Sequence, residues 1–292
     1  MTQTHTVRFA FGIVFLSVLS ALIIGSIFSA LDPSILSGDK PGLLTYIAMF
    51  IGQSVLVVPV VLFLIRKKYP LKKSLRLNPV SKNIINSTIL LSLGAMIISD
   101  EINILVDMVI PMPDSFLQIE AMLTPDNPLS MALLLFTIVL LAPIGEEVIF
   151  RGFLQKYLED VWGDVTRAVL FSSLFFAVIH FNPYWMIQIY LLGVILGYLA
   201  WYTNSIIPSI IFHIIINATS LLFTSMGDSF ESIIVWHGHI NPIIFLLAID
   251  MSNSSLSSLD SSYFKNDTYL VYSFCIISDL SCIFIYSISP SI

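Results

Sequence analysis

The sequence predicts an all-α, polytopic transmembrane bundle of about seven or eight helices. Three observations predict it. Of 292 residues 57% are hydrophobic and only 11% charged, the mean hydropathy is +0.91, and apolar runs recur at lengths near the roughly 20 residues that cross a bilayer. An ordinary soluble domain carries about a quarter charged residues, so this composition excludes a soluble fold. In lipid every backbone amide needs an internal partner, which makes helices the spanning structure for runs of this kind. The net charge of −6 provides no basic surface to track phosphates and argues against nucleic acid as a partner. Two cysteines, Cys275 and Cys282, are too few for a disulfide framework and lack zinc-knuckle spacing.

The first apolar run, 9–31, is too long for a signal peptide and lacks a clean small-residue cleavage site, so it reads as a retained span. Further spans follow at 43–65, 84–110, 129–150, 168–181, 186–202 and 206–223. Seven of the thirteen Lys and Arg residues lie in 66–82, namely Arg66, Lys67, Lys68, Lys72, Lys73, Arg76 and Lys82. By the positive-inside rule that loop is cytoplasmic, and so is the N-terminus. Its charge reads as topology and attraction to anionic lipid headgroups. The outer loops are then acidic, with Asp32 and Asp39, then Asp114, Glu120 and Asp126, then Asp228 and Glu231, while Arg151, Lys156 and Arg167 fall inside. A short eighth span at 233–249 is interrupted by His237, His239, Asn241 and Pro242. From Met251 the chain turns serine-rich, and the apolar stretch 269–288 carries Asp279 and further serines, so the end reads as one more helix or a disordered tail. No internal repeat and no glycine-rich phosphate loop is present.

An ionisable group inside a span costs several kcal/mol unless it is paired or faces a cavity, which makes each one a functional candidate. The strongest set is Gly145-Glu146-Glu147-Val148-Ile149-Phe150-Arg151. Glu147 and Arg151, four apart, share a helical face and are spaced for an ion pair in the favourable acid-before-base order. Glu146 points about 100° away and is left without the arginine, the setting that suits a proton acceptor near neutral pH. Pro143 and Gly145 loosen the helix beside it. The second set is Phe176-Ala177-Val178-Ile179-His180, where a histidine closes an apolar helix; an interfacial histidine is the plainer reading of that pattern. The third is His213-Ile214-Ile215-Ile216-Asn217, whose imidazole and amide project from one face. Two such donors suit an oxyanion, a metal, or simple packing between membrane helices. Asp100, Glu101 and Asp107 read as an outer helix end dipping into water without basic partners, and His237 and His239 as loop residues rather than a metal pair.

The motifs GEExxxR, FxxxH and HxxxN in this order on successive apolar segments resemble the type II CAAX prenyl endopeptidase and bacteriocin-processing family, CPBP or Abi, of intramembrane proteases. The resemblance covers about 129–220 and includes Leu192-Gly193-Val194-Ile195-Leu196-Gly197-Tyr198, whose glycines let helices approach closely. It implies a hydrolase cleaving a peptide bond in a peptide or membrane-proximal protein. Glu146 would activate water with His180, and His213 and Asn217 would stabilise the oxyanion. Glu147, Arg151 and Phe176 would support them. No cofactor is required on this reading, although zinc held by Glu146, His180 and His213 is the metalloprotease alternative. Different classes also compete: a peptide-capturing self-immunity protein without turnover, or a carrier using Asp100, Glu101 and Asp107. The implied organisation is three N-terminal spans in 1–128, a catalytic core in 129–223, and an eighth helix with an atypical tail in 224–292. The isoleucine-rich single chain suits a bacterial plasma membrane. Counting along the spans sets Glu146 and His213 nearer the inner side and His180 nearer the outer. Convergence therefore requires the fourth helix to run on toward Glu159 and the fifth to start deeper.

Overall fold

The computed structural model describes residues 6–37, 40–111, 122–226 and 234–263. Asp39, Asp114, Glu120, Asp228, Glu231, Cys275, Cys282, Asp279 and the stretch 269–288 lie outside the described residues. The main helices are α1 (Val7–Ser29), α2 (Leu43–Arg66), α3 (Lys82–Val109), α4 (Pro128–Trp162), α5 (Val165–Val178), α6 (Met186–Tyr202), α7 (Ile207–Met226) and α8 (Pro242–Tyr263). A two-residue hairpin, β1 (Val235–Trp236) against β2 (His239–Ile240), precedes α8. The protein is an all-α polytopic bundle, and it is an integral membrane protein. Among the described residues six helices, α1 to α4, α7 and α8, are long and apolar enough to cross a membrane.

Three expectations shift. The segments expected as spans at 168–181 and 186–202 are helices of 14 and 17 residues, about 21 and 26 Å at 1.5 Å per residue, short of the roughly 30 Å hydrocarbon core. The fourth helix does not stop near 150 but runs 35 residues to Trp162, and Gly163, at φ +63°, ends it. Its extension carries Leu154, Tyr157 and Leu158 into the core shared with α1, α2 and α5, which is why it stays helical.

The serine-rich stretch is helical as far as Tyr263, and Ser252, Ser255 and Ser258 lie on the face of α8 that packs against α3. Ser255 donates to the Ser87 carbonyl and Ser87 meets Ser258 at 3.1 Å. A Cβ on Gly94 would stand 2.5 Å from the Ala248 carbonyl. Small side chains let two backbones close in lipid, where apolar bulk offers no advantage over lipid tails. The eighth helix also starts later than 233, at Pro242, with Asn241 capping the amide of Ile243 at 3.0 Å.

Between α1 and α2 the chain is pinned by buried Asp32. Its carboxylate accepts from the amide and hydroxyl of Ser34 (3.1 and 2.7 Å) and from those of Thr45 (2.9 and 2.8 Å) in the first turn of α2. A negative charge at a helix N-terminus is favourable. Besides a small apolar core at Tyr46, Leu134 and Leu221, two larger ones result among the described residues: Phe150, Phe153 and Leu154 of α4 among α1, α2 and α5, and Leu196 and Phe212 among α3, α6, α7 and α8. The polar site lies where they meet.

Candidate active site

Helix α4 is not uniformly α-helical. Residues Phe136–Leu141 and Val148–Gln155 are π-helical and flank an α-helical piece, Ala142–Glu147. A π turn passes each amide to the carbonyl five residues back, as Ala142 does to Thr137. Pro143 would continue that pattern to Ile138 but has no N–H. The side-chain amide of Asn217 supplies the missing donor, 2.9 Å from the Ile138 carbonyl. Pro143 thus explains both the loosened helix and one contact of Asn217.

The GEExxxR motif sits at the start of the second π stretch. Glu147 is fully buried and Arg151 nearly so. The guanidinium donates to Glu147 Oε1 at 2.9 Å and to the Gly193 carbonyl of α6 at 3.0 Å, and it lies 4.4 Å from the centre of the Phe176 ring. A planar fork meets two acceptors and an aromatic face at once, which an ammonium cannot do. His213 of α7 reaches the same carboxylate oxygen, its Nδ1 3.0 Å from Glu147 Oε1. A carboxylate only accepts, so Nδ1 carries the proton and Nε2 is turned toward Glu146, 3.8 Å from its Oε2. That distance exceeds a direct hydrogen bond and suits a bridging group. Arg151 pairs with Glu147 and leaves Glu146 without it.

His180 lies just past the end of α5, and its imidazole folds back so that Nδ1 is 2.7 Å from the Phe176 carbonyl. A carbonyl likewise only accepts, so Nδ1 is the protonated nitrogen here too, and in the neutral ring Nε2 is the accepting nitrogen. Phe176 separates and aligns the two histidines, with its ring 4.7 Å from that of His180 and 5.9 Å from that of His213, both edge-on. Helix α4 runs past Glu159 and α5 begins at Val165, three residues earlier than expected. Glu146, Glu147, Arg151, Phe176 and His213 form one contact network. His180 joins it through Phe176, and Asn217 lies one turn along α7 from His213.

The donor types of Glu146, His180 and His213 suit zinc. Among the described residues, however, no three His, Cys, Asp or Glu side chains gather as a metal ion requires. The residues as placed do not fit a metal, and no step below is routed through one.

Several residues carry parts of this network without having been singled out. Gln155 and Glu159 continue the four-residue spacing of Glu147 and Arg151, and Arg76 from the basic loop is buried against Glu159 rather than solvated. The spacing was visible in the sequence; the pairing of Arg76 was not, because seven basic residues in one loop look alike. Glu101 also has a partner, as His239 Nδ1 (2.8 Å) and the amide of Ile240 (2.8 Å) both reach its carboxylate and clamp the hairpin onto α3. The expectation that this acid lacked a basic partner is corrected. His239 reaches it across 138 residues of chain, which no local pattern reveals.

Residues 128–219 match the family model described as type II CAAX prenyl endopeptidase Rce1-like. That segment, about a third of the chain, is similar to the Rce1-like family. It runs from the start of α4 into α7 and contains every candidate site residue from Glu146 to Asn217. The family is one of CAAX-type intramembrane endopeptidases, hydrolases acting on peptide bonds. No curated protein and no solved structure matches the chain.

Proposed function

We propose that this Rce1-like protein hydrolyses a peptide bond in a peptide or membrane-proximal protein segment, with 129–223 as its catalytic core and its N-terminus in the cytoplasm. The observation that carries the reading is the buried Arg151–Glu147–His213 arrangement, which leaves Glu146 facing His213 Nε2 at 3.8 Å. Glu146 is the carboxylate free to take a proton from water. The lone pair on His180 Nε2 gives that proton a second acceptor and a route to the leaving amine. His213 stabilises the oxyanion as an imidazolium, because Nδ1 is committed to Glu147 and only a second proton lets Nε2 donate. Carboxylate oxygens at 3.0 and 3.8 Å offset that charge. The amide of Asn217 has two N–H groups; one holds Ile138, and the other is the second oxyanion donor. Glu147 and Arg151 hold His213 in place.

The test is cleavage of a mixed peptide library by detergent-solubilised protein, comparing wild type with Glu146→Ala and His180→Ala, with and without a strong chelator. Cleavage lost in both variants and retained with chelator supports a glutamate-activated water. Loss with chelator that added zinc reverses would replace it with the metalloprotease mechanism. A wild type that binds peptide but never cleaves would replace catalysis with peptide capture.

A further inference from the structure

We infer that Gln155, Glu159 and Arg76 are positioning residues for this site, an inference that rests on the endopeptidase reading. Along α4 the residues at 147, 151, 155 and 159 form a stripe four apart, and all are buried or nearly so. Each is matched by a group on another element. Arg151 donates to the Gly193 carbonyl at 3.0 Å and Gln155 to the Gly197 carbonyl at 2.8 Å, so two rungs with the same spacing join α4 to α6. A slip of α6 by half a helical turn, about 2.7 Å, would unpair both, and a slip by a full turn could re-form only one.

The second rung is itself held. Gln155 Nε2 also donates to Glu159 Oε1 at 2.8 Å. The reversed amide would turn Oε1 toward two oxygen acceptors, so the neighbours fix its orientation. Glu159 in turn accepts both guanidinium nitrogens of Arg76, Nη1 at 3.0 Å from Oε1 and Nη2 beside Oε2. Arg76 is delivered because the loop backbone lies against α4 at Gly152, where a Cβ would stand 3.1 Å from the Leu75 carbonyl. At Gly197 a Cβ would stand 2.9 Å from Gln155 Oε1, so the rung exists only where α6 has no side chain. Hydrogen bonds thus run from the basic loop through Glu159 and Gln155 to the Gly197 carbonyl of α6, and one turn along that helix the Gly193 carbonyl receives Arg151, which holds Glu147 and, through it, His213. Displacing a catalytic group by about 1 Å can cost about 10²-fold in rate.

The experiment uses the full-length protein in detergent and the library peptide that wild type cleaves fastest. Gln155→Leu removes both donors at similar volume. It is expected to lower kcat about 10-fold or more with KM within about twofold, the signature of lost orientation rather than lost binding. The ring-nitrogen NMR signals of His213, assigned with His213→Gln, should shift in the same variant. Arg76→Glu and Glu159→Arg should each lower kcat, and together they should recover at least half of the loss. Unchanged kcat and unmoved His213 signals in Gln155→Leu would overturn the inference. So would lowered yield and Tm in a protein whose surviving fraction keeps wild-type kcat, or a double reversal no better than its singles. The nitrogen signals need no turnover, so a wild type that cleaves nothing would sink the endopeptidase reading while the spectrum still decided the positioning one.

Discussion

Replacing Arg151 with methionine keeps an unbranched side chain against Phe176 but removes the partner of a fully buried carboxylate. In the folded protein Glu147 would retain only His213 at 3.0 Å, and the Gly193 carbonyl would lose its donor. Breaking a buried pair from one side costs about 3–5 kcal/mol, because the stranded charge has no water to return to. Removing both charges in Glu147→Gln with Arg151→Met strands no charge, only the Gly193 carbonyl, and the double variant should return to within about 1.5 kcal/mol of wild type. With each single substitution costing about 3–5 kcal/mol and the double about 1.5 kcal/mol or less, the coupling energy is at least about 4.5 kcal/mol. Cleavage should behave differently. In every variant of the cycle the Glu147 carboxylate is lost or is no longer held by Arg151, so His213 is left mispositioned, and activity should stay down by about 10²-fold or more even where stability is restored. The assay is reversible unfolding of the four proteins in mixed micelles, followed by near-ultraviolet circular dichroism, with cleavage measured on the same samples. If Arg151→Met unfolds within about 0.5 kcal/mol of wild type, or if the double variant is no more stable than the single, the account of a dry, mutually dependent pair is wrong.

Asn217→Ala should fold and lose about 10²-fold in turnover as one oxyanion donor goes, with about 1 kcal/mol of stability lost at the Ile138 carbonyl. Adding Pro143→Ala, which restores a backbone donor, should recover the stability measured by unfolding but not the turnover. Gly94→Ala should destabilise by about 1–3 kcal/mol in the same unfolding assay, since its methyl meets the Ala248 carbonyl backbone; Gly12→Ala, with open space around it, should not. Burial alone would raise the Asp32 carboxyl, but hydrogen bonds from Ser34 and Thr45 outweigh it and hold it at about 2. The folded value lies below the unfolded value of about 3.9, so Asp32 stabilises the fold above about pH 4 and that contribution is lost as pH falls toward 2. Unfolding measured against pH should show a shallower acid limb in Asp32→Asn.

Composition and run length alone determined that this chain is a membrane-spanning helical bundle, because lipid accepts no other structure for apolar runs of this length. Spacing determined the Glu147–Arg151 pair, since four residues bring two side chains onto one helical face whatever surrounds them. The motif order likewise pointed to the family. Tertiary structure decided where α4 ends, because the residues from Leu154 to Leu158 are held helical by a core drawn from α1, α2 and α5. It also decided which carboxylate faces His213, since Glu147 and His213 are 66 residues apart. The serine-rich stretch looked foreign because a run of small polar residues has little affinity for lipid. Its face is hidden against Gly94 and Ser87, a property of two helices together and of neither alone. Arg76 became distinct from its basic neighbours only when the loop met Gly152 and carried it to Glu159. Local patterns fix which groups a helix face presents, and packing between distant segments fixes which of them lose water and must find each other.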